Sequence, residues 1–126
     1  MPDFYLVVDL EGTCCDDGSI PPDERETIEI GAVMLHAASG IVVGEFRHGK
    51  ESIFVKPVRH PNITSFCTSL TGVQQCDVDA AWTFPVAFAK LIQWADIIGD
   101  YQFCSWGRYD RQQFHRDCSY YGIEYP

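Results

Sequence analysis

Hydrophobic positions follow two regimes along this chain, with short continuous or alternating runs up to Val58 and a three-to-four-residue spacing from Asn62 onward. Phe4 to Leu10 is an almost unbroken apolar run, and Tyr5-Leu6-Val7-Val8 is apolar on both faces, as expected of a strand buried within an α/β sheet. Thr27 to His36 is β-rich and predicts a second strand, after which Ser39-Gly40 marks a hairpin-like turn. Ile41 to Phe46 then pairs back, and Glu51 to Val58 supplies the third strand of an antiparallel meander. Beyond Asn62, the residues Ile63, Phe66, Leu70 and Val73 share one helical face, and Gly72 ends that short helix. Thr83 to Ala95 places Phe84, Phe88, Leu91, Ile92 and Ala95 at helical steps, with Pro85 in the first turn, where proline is tolerated. A further strand is expected around Tyr101 to Trp106, followed by a helix from Tyr109 to Tyr121 stopping at Gly122. The order is β-β-β-α-α-β-α. No repeat, linker or low-complexity segment interrupts it, so residues 1–126 are expected to form one α/β domain.

Composition narrows the setting. With 46% hydrophobic and 13% aromatic residues the chain can bury a real core. No apolar stretch approaches the roughly 20 residues of a membrane helix. Met1-Pro2-Asp3 lacks the basic and apolar regions of a signal peptide, so the expectation is a soluble, intracellular, cytoplasmic protein. Of the six cysteines, Cys14 and Cys15 are adjacent and the others scattered, which points to free thiols rather than disulfides. Zinc is not expected, because no C-x-x-C occurs and His36, His48, His60 and His115 fall in no ligand spacing.

The net charge of -9 argues against a passive nucleic-acid binder. It leaves room for an enzyme acting on phosphodiesters, since bound cations invert the local potential of an acidic site. Asp16, Asp17, Asp23, Glu24, Glu26 and Glu29 all follow the first strand, in or beside a stretch punctuated by Gly18, Pro21 and Pro22, and most of them read as a solvated acidic loop.

Candidate chemistry begins at Asp9-Leu10-Glu11-Gly12-Thr13. Residues i and i+2 of a strand point to one face, so Asp9 and Glu11 project together at the end of a buried strand. Paired carboxylates repel unless a proton or cation lies between them. Mg²⁺ and Mn²⁺ favour such oxygen ligands, completed by water and substrate phosphate. A plain strand end with solvated acids is the alternative for an isolated D-x-E. A further acid, Asp110, lies just past the predicted fourth strand at the opening of a helix, from where it could reach a cation.

With these residues in view, the chain resembles the DEDDh 3′ to 5′ exonucleases of ribonuclease H-like fold, and within them the branch that trims the 3′ ends of small RNAs and histone messenger RNAs. Asp9-x-Glu11-x-Thr13 matches the first motif and Gly107-x-Tyr109-Asp110 the second. Between them, Phe54-Val55-Lys56-Pro57 and Ser65-Phe66-Cys67-Thr68-Ser69-Leu70-Thr71-Gly72-Val73 match two further segments of the branch, with Ser65 replacing its usual acid. The resemblance implies a mixed sheet flanked by helices and hydrolysis of single-stranded 3′ ends to nucleoside 5′-monophosphates, RNA ahead of DNA. It also implies two Mg²⁺ or Mn²⁺ ions held by Asp9, Glu11 and Asp110, which clamp the scissile phosphate. Thr13, Phe66, Leu70 and Thr71 would contact the terminal nucleotide. For Thr13 a turn-forming role is the alternative, and for Phe66 and Leu70 a place in the helix's buried stripe. Trp106, Tyr109 and Glu29 read as packing or structural residues.

The family's third motif, a histidine a few residues before a last acid on a later helix, has no match. His115 and Asp117 are too close to Asp110 and wrongly spaced, and His115 reads as a surface helix residue. The expectation is therefore a domain shortened at its C-terminus, with weak or no activity by itself and an open sheet face that self-association could cover. A catalytically inactive relative binding nucleic-acid ends or a protein partner is the second hypothesis. An unrelated ribonuclease H-like phosphohydrolase is the third.

Overall fold

The computed structural model describes residues 1–126. Its strands are β1 (Phe4–Gly12), β2 (Thr27–His36), β3 (Val42–Glu45), β4 (Ile53–Lys56), β5 (Trp82–Thr83) and β6 (Tyr101–Cys104), and its helices are α1 (Ser65–Thr71), α2 (Gln75–Asp79), α3 (Phe84–Ile98) and α4 (Tyr109–Tyr121). The mixed sheet runs β5-β4-β2-β1-β6. β1 pairs antiparallel with β2 and parallel with β6, so β1 lies inside the sheet, as its two-sided apolar run requires.

The expected meander takes a different form. Ile41–Phe46 and Glu51–Val58 do not pair in succession; β3 and β4 both pair with the same side of β2, β3 at Val33–Leu35 and β4 at Glu29–Ile30. The ten-residue β2 is long enough to take one short strand at each end. β5 adds to β4 in parallel, an element with no signal in the pattern because it is only two residues long.

Leu6, Val8 and Leu10 of β1 and Ile30, Ala32 and Met34 of β2 are buried against Phe84, Phe88, Leu91 and Ala95 of α3 and Phe114 and Cys118 of α4. The intervening residues of β1, Asp9 and Glu11 among them, face the other way. α3 carries the expected stripe and Pro85 in its first turn, and runs on to Ile98. Gly99 then turns the chain into β6 so close to Phe4 that a Cβ there would lie 2.8 Å from that ring. No helix is long and apolar enough to cross a membrane, and all six cysteines are free.

α1 corrects one expectation. Its hydroxyl cap, Thr64, accepts the Cys67 N–H at 3.0 Å and donates to the Cys14 carbonyl at 2.6 Å, which docks the helix on the loop after β1. The face so buried belongs to Cys67, leaving Phe66 37% and Leu70 68% exposed. Of the expected stripe, Ile63 and Val73, which flank the helix, do pack with Cys67, whereas Phe66 and Leu70 within it do not, because the cap and the Cys67 contact set the rotation of this two-turn helix.

Candidate active site

Three acids meet at the end of β1. β6 stops at Cys104, opposite Val7, so the edge of β1 beyond that point lacks a strand partner. The chain crosses from β6 into α4, and the carboxylate of Asp110 in the helix's first turn accepts the Leu10 N–H at 2.9 Å. The side chain therefore closes the open edge between Asp9 and Glu11. Asp110 is 5% exposed, whereas Asp9 is exposed and Glu11 half-buried. Glu29 lies opposite Glu11 in the β1–β2 register and adds a fourth carboxyl.

Burial raises the Glu11 pKa, and the charges of Asp9, Glu29 and Asp110 push it further. Burial likewise raises Asp110, aided by Asp9 and opposed by the Leu10 hydrogen bond. Oxygen donors crowded under mutual repulsion suit a hard divalent cation with water and phosphate oxygens completing its shell. No group of three acid, histidine or cysteine side chains closes on a single ion by itself.

Tyr109, expected as a packing residue, stands over Gly12, where a Cβ would lie 2.5 Å from the phenol oxygen. Burial raises its pKa; the Arg25 guanidinium counters this, while Asp110 and Glu11 add to it. The tyrosine thus stands beside two of the acids.

Thr13 is buried, its hydroxyl accepting the Glu26 N–H at 2.9 Å and its own N–H donating to the Glu26 carbonyl at 2.8 Å. These bonds hold the acidic loop to the end of β1. The Thr71 hydroxyl donates to the Cys67 carbonyl and accepts the Val73 N–H, closing the end of α1. Phe66 and Leu70 are the members of the predicted substrate set whose side chains are free at the surface.

Sequence reasoning missed two acids with structural work. Glu26, assigned to a solvated loop, is 3% exposed, and its carboxylate accepts the N–H groups of Val58, Arg59 and His60 at 2.8 to 3.1 Å. Asp117 is buried and accepts from the Thr27 hydroxyl at 2.6 Å, the Thr27 N–H and Gln113. His115 is exposed, with its ring 4.0 Å from that of Tyr125. The other histidines are engaged elsewhere: His36 with Ser39, His48 with Trp82 and His60 with Glu24.

Comparison with known proteins places this arrangement. The family model described as exonuclease, of the RNase T type, matches residues 6–119. The human 3′-5′ exoribonuclease 1 is 30% identical over 130 residues, covering 98% of this chain and 36% of the relative. The mouse ERI1 exoribonuclease 2 is 35% identical over 91 residues, 72% of this chain and 12% of the relative. The chain therefore spans well under half the length of these curated relatives. The crystal structure of the nuclease domain of 3′hExo, a DEDDh family member bound to rAMP, superposes with a TM-score of 0.85 at 28% identity, covering 99% of this chain and 62% of that one. With its mixed sheet, its ordered acids and these matches, the chain belongs to the exonuclease family, in the DEDDh 3′-5′ exoribonuclease group with a ribonuclease H-like fold.

Proposed function

We propose that this chain contributes the first two acidic motifs of a divalent-metal-dependent nuclease that removes nucleoside 5′-monophosphates one at a time from single-stranded 3′ ends, RNA in preference to DNA. The observation that carries the reading is the Asp110 carboxylate seated on the Leu10 N–H between Asp9 and Glu11, on a fold shared with a nuclease domain that binds rAMP. Asp9, Glu11 and Asp110 would hold Mg²⁺ or Mn²⁺, which when bound supplies charge neutralisation at the phosphate and a more acidic water. The chain's own residues prepare the ground for this. The Leu10 N–H fixes one carboxylate oxygen of Asp110, Thr13 and Glu26 brace the strand end, and Phe66 and Leu70 offer an apolar surface for the terminal base, tolerant of its identity.

The test uses single-stranded RNA and DNA labelled at either end, with Mn²⁺ or Mg²⁺. Stepwise shortening from the 3′ end, lost in Asp9→Ala, is the expected result. Internal cuts, or no cleavage even by a version extended to carry a third motif, overturn the catalytic reading.

A second reading rests on the histidines. None of the four histidines within residues 1–126 stands at the acids. A binder of nucleic-acid ends or of a protein partner, without turnover, is consistent with that. Retained affinity for 3′ ends with no cleavage identifies it.

A further inference from the structure

We propose that Arg25 is a phosphate-binding residue, which holds the backbone of the incoming strand one link away from the acids. The proposal rests on the nuclease reading and adds to it a residue that belongs to neither acidic motif.

Arg25 lies between Asp23-Glu24 and Glu26, where sequence alone would have its charge neutralised by neighbours. The fold sends Glu24 and Glu26 elsewhere. Arg25 has extended backbone (φ -64, ψ 139) and leads directly into β2, so successive side chains take opposite sides. Glu26 points to the N–H groups of Val58, Arg59 and His60, and Glu24 pairs with His60. Thr27 points to α4, where its hydroxyl donates to Asp117. Arg25 shares that side with Thr27, and its carbonyl accepts from the Gln113 amide at 2.7 Å. Asp117, Gln113 and Tyr109 stand four residues apart on one face of α4, so the chain from Thr27 back to Arg25 follows the helix toward its first turn. The guanidinium is accordingly near enough to the Tyr109 phenol and the Cys14 thiol for its charge to act on both.

The same segment is tied on its other side. Thr13, two residues past Glu11, exchanges hydrogen bonds with the backbone of Glu26, so Arg25 is held between the two acidic motifs. Its Nε is buried without a partner, neither terminal nitrogen makes a hydrogen bond, and no carboxylate of residues 1–126 lies within ion-pair distance. A planar fork so braced suits two oxygens of one phosphate. The Cys14 carbonyl accepts the Thr64 hydroxyl that caps α1, so the guanidinium stands where a strand would pass between the exposed Phe66 and Leu70 and the acids. Asp9, Glu11 and Asp110 are assigned to the reacting phosphate. A cation offset toward Cys14 takes the neighbouring one.

Fluorescence anisotropy with a labelled single-stranded oligonucleotide tests this across a range of salt concentrations, with Ca²⁺ supplied to the acidic site. Arg25→Gln is expected to weaken binding roughly tenfold and to flatten the slope of log affinity against log salt by about 0.7, the share of one phosphate contact on a single strand, with circular dichroism and urea unfolding unchanged. Arg25→Lys keeps the charge, and is expected to keep the slope while losing part of the affinity, because an ammonium lacks the planar fork. An Arg25→Gln variant that binds as the unchanged chain does overturns the proposal. So does one that binds more weakly with the slope unaltered, which is the mark of a structural role. Binding that Asp9→Ala abolishes and Arg25→Gln does not alter overturns this proposal alone and leaves the nuclease reading standing. No binding by the unchanged chain also overturns it, and the end-labelled cleavage assay then decides the nuclease reading separately.

Discussion

Gly12 leaves no room for a side chain beneath Tyr109, which makes the two a testable pair. A Cβ at position 12 meets the phenol oxygen at 2.5 Å, and because Tyr109 is partly exposed the ring can swing outward to relieve the clash. Gly12→Ala is therefore expected to cost less than about 1 kcal/mol of stability, below the usual 1–3 of buried overpacking, while shifting the neighbour of Asp110. Cleavage should fall roughly tenfold, and Tyr109→Phe, which removes the clashing oxygen, should restore most of it in the double variant. Glu26 is the opposite case, since its value lies in stability. Glu26→Ala strands the N–H groups of Val58, Arg59 and His60 and is expected to cost about 3 kcal/mol in urea unfolding, with Glu26→Gln recovering only part, because its amide oxygen is a single acceptor. Neither role was visible in the sequence. Glu26 sits among six acids that look alike in composition, and only contacts 32 to 34 residues away distinguish it.

Among the elements, α1 separates binding from folding most clearly. Leu70 is 68% and Phe66 37% exposed, so alanine at both is expected to lower the unfolding stability in urea by no more than about 1 kcal/mol while weakening single-strand binding by roughly 1–3 kcal/mol, as measured by anisotropy with a labelled oligonucleotide. An equal loss of stability would return these residues to the core. Long elements were legible beforehand: β1 and β2 from their apolar runs, α3 from its helical spacing and Pro85, α4 from its stop at Gly122. Short ones were not. The seven residues of α1 admit more than one buried face, and the five of α2 and two of β5 carry too few positions for any period. Strand partners were equally hidden, because the alternation within β3 and β4 says which face is apolar and nothing about which edge of β2 each strand joins. Of the candidate site, Asp9 and Glu11 sharing a face followed from strand parity, whereas Asp110 was indicated by its place past the predicted fourth strand at a helix opening and by the matched motifs.

Across the molecule, carboxyl groups dominate the response to pH. Glu11, Asp110 and Asp117 all have pKa values raised chiefly by burial. The folded state therefore binds protons more tightly than the unfolded chain, and stability falls as pH rises from the ordinary carboxyl range through the raised folded values. In metal-free buffer the urea midpoint is expected to be higher in mild acid than at neutrality. Mn²⁺ should narrow that gap by stabilising the ionised acids, and Asp117→Asn should narrow it without metal; a midpoint independent of pH contradicts the assignment. The bond from Leu10 to Asp110 joins residues 100 apart in sequence. Closing so long a loop is entropically slow, so the acidic constellation is expected to assemble late in refolding, with metal affinity returning in the slowest major phase, after most helical signal has recovered.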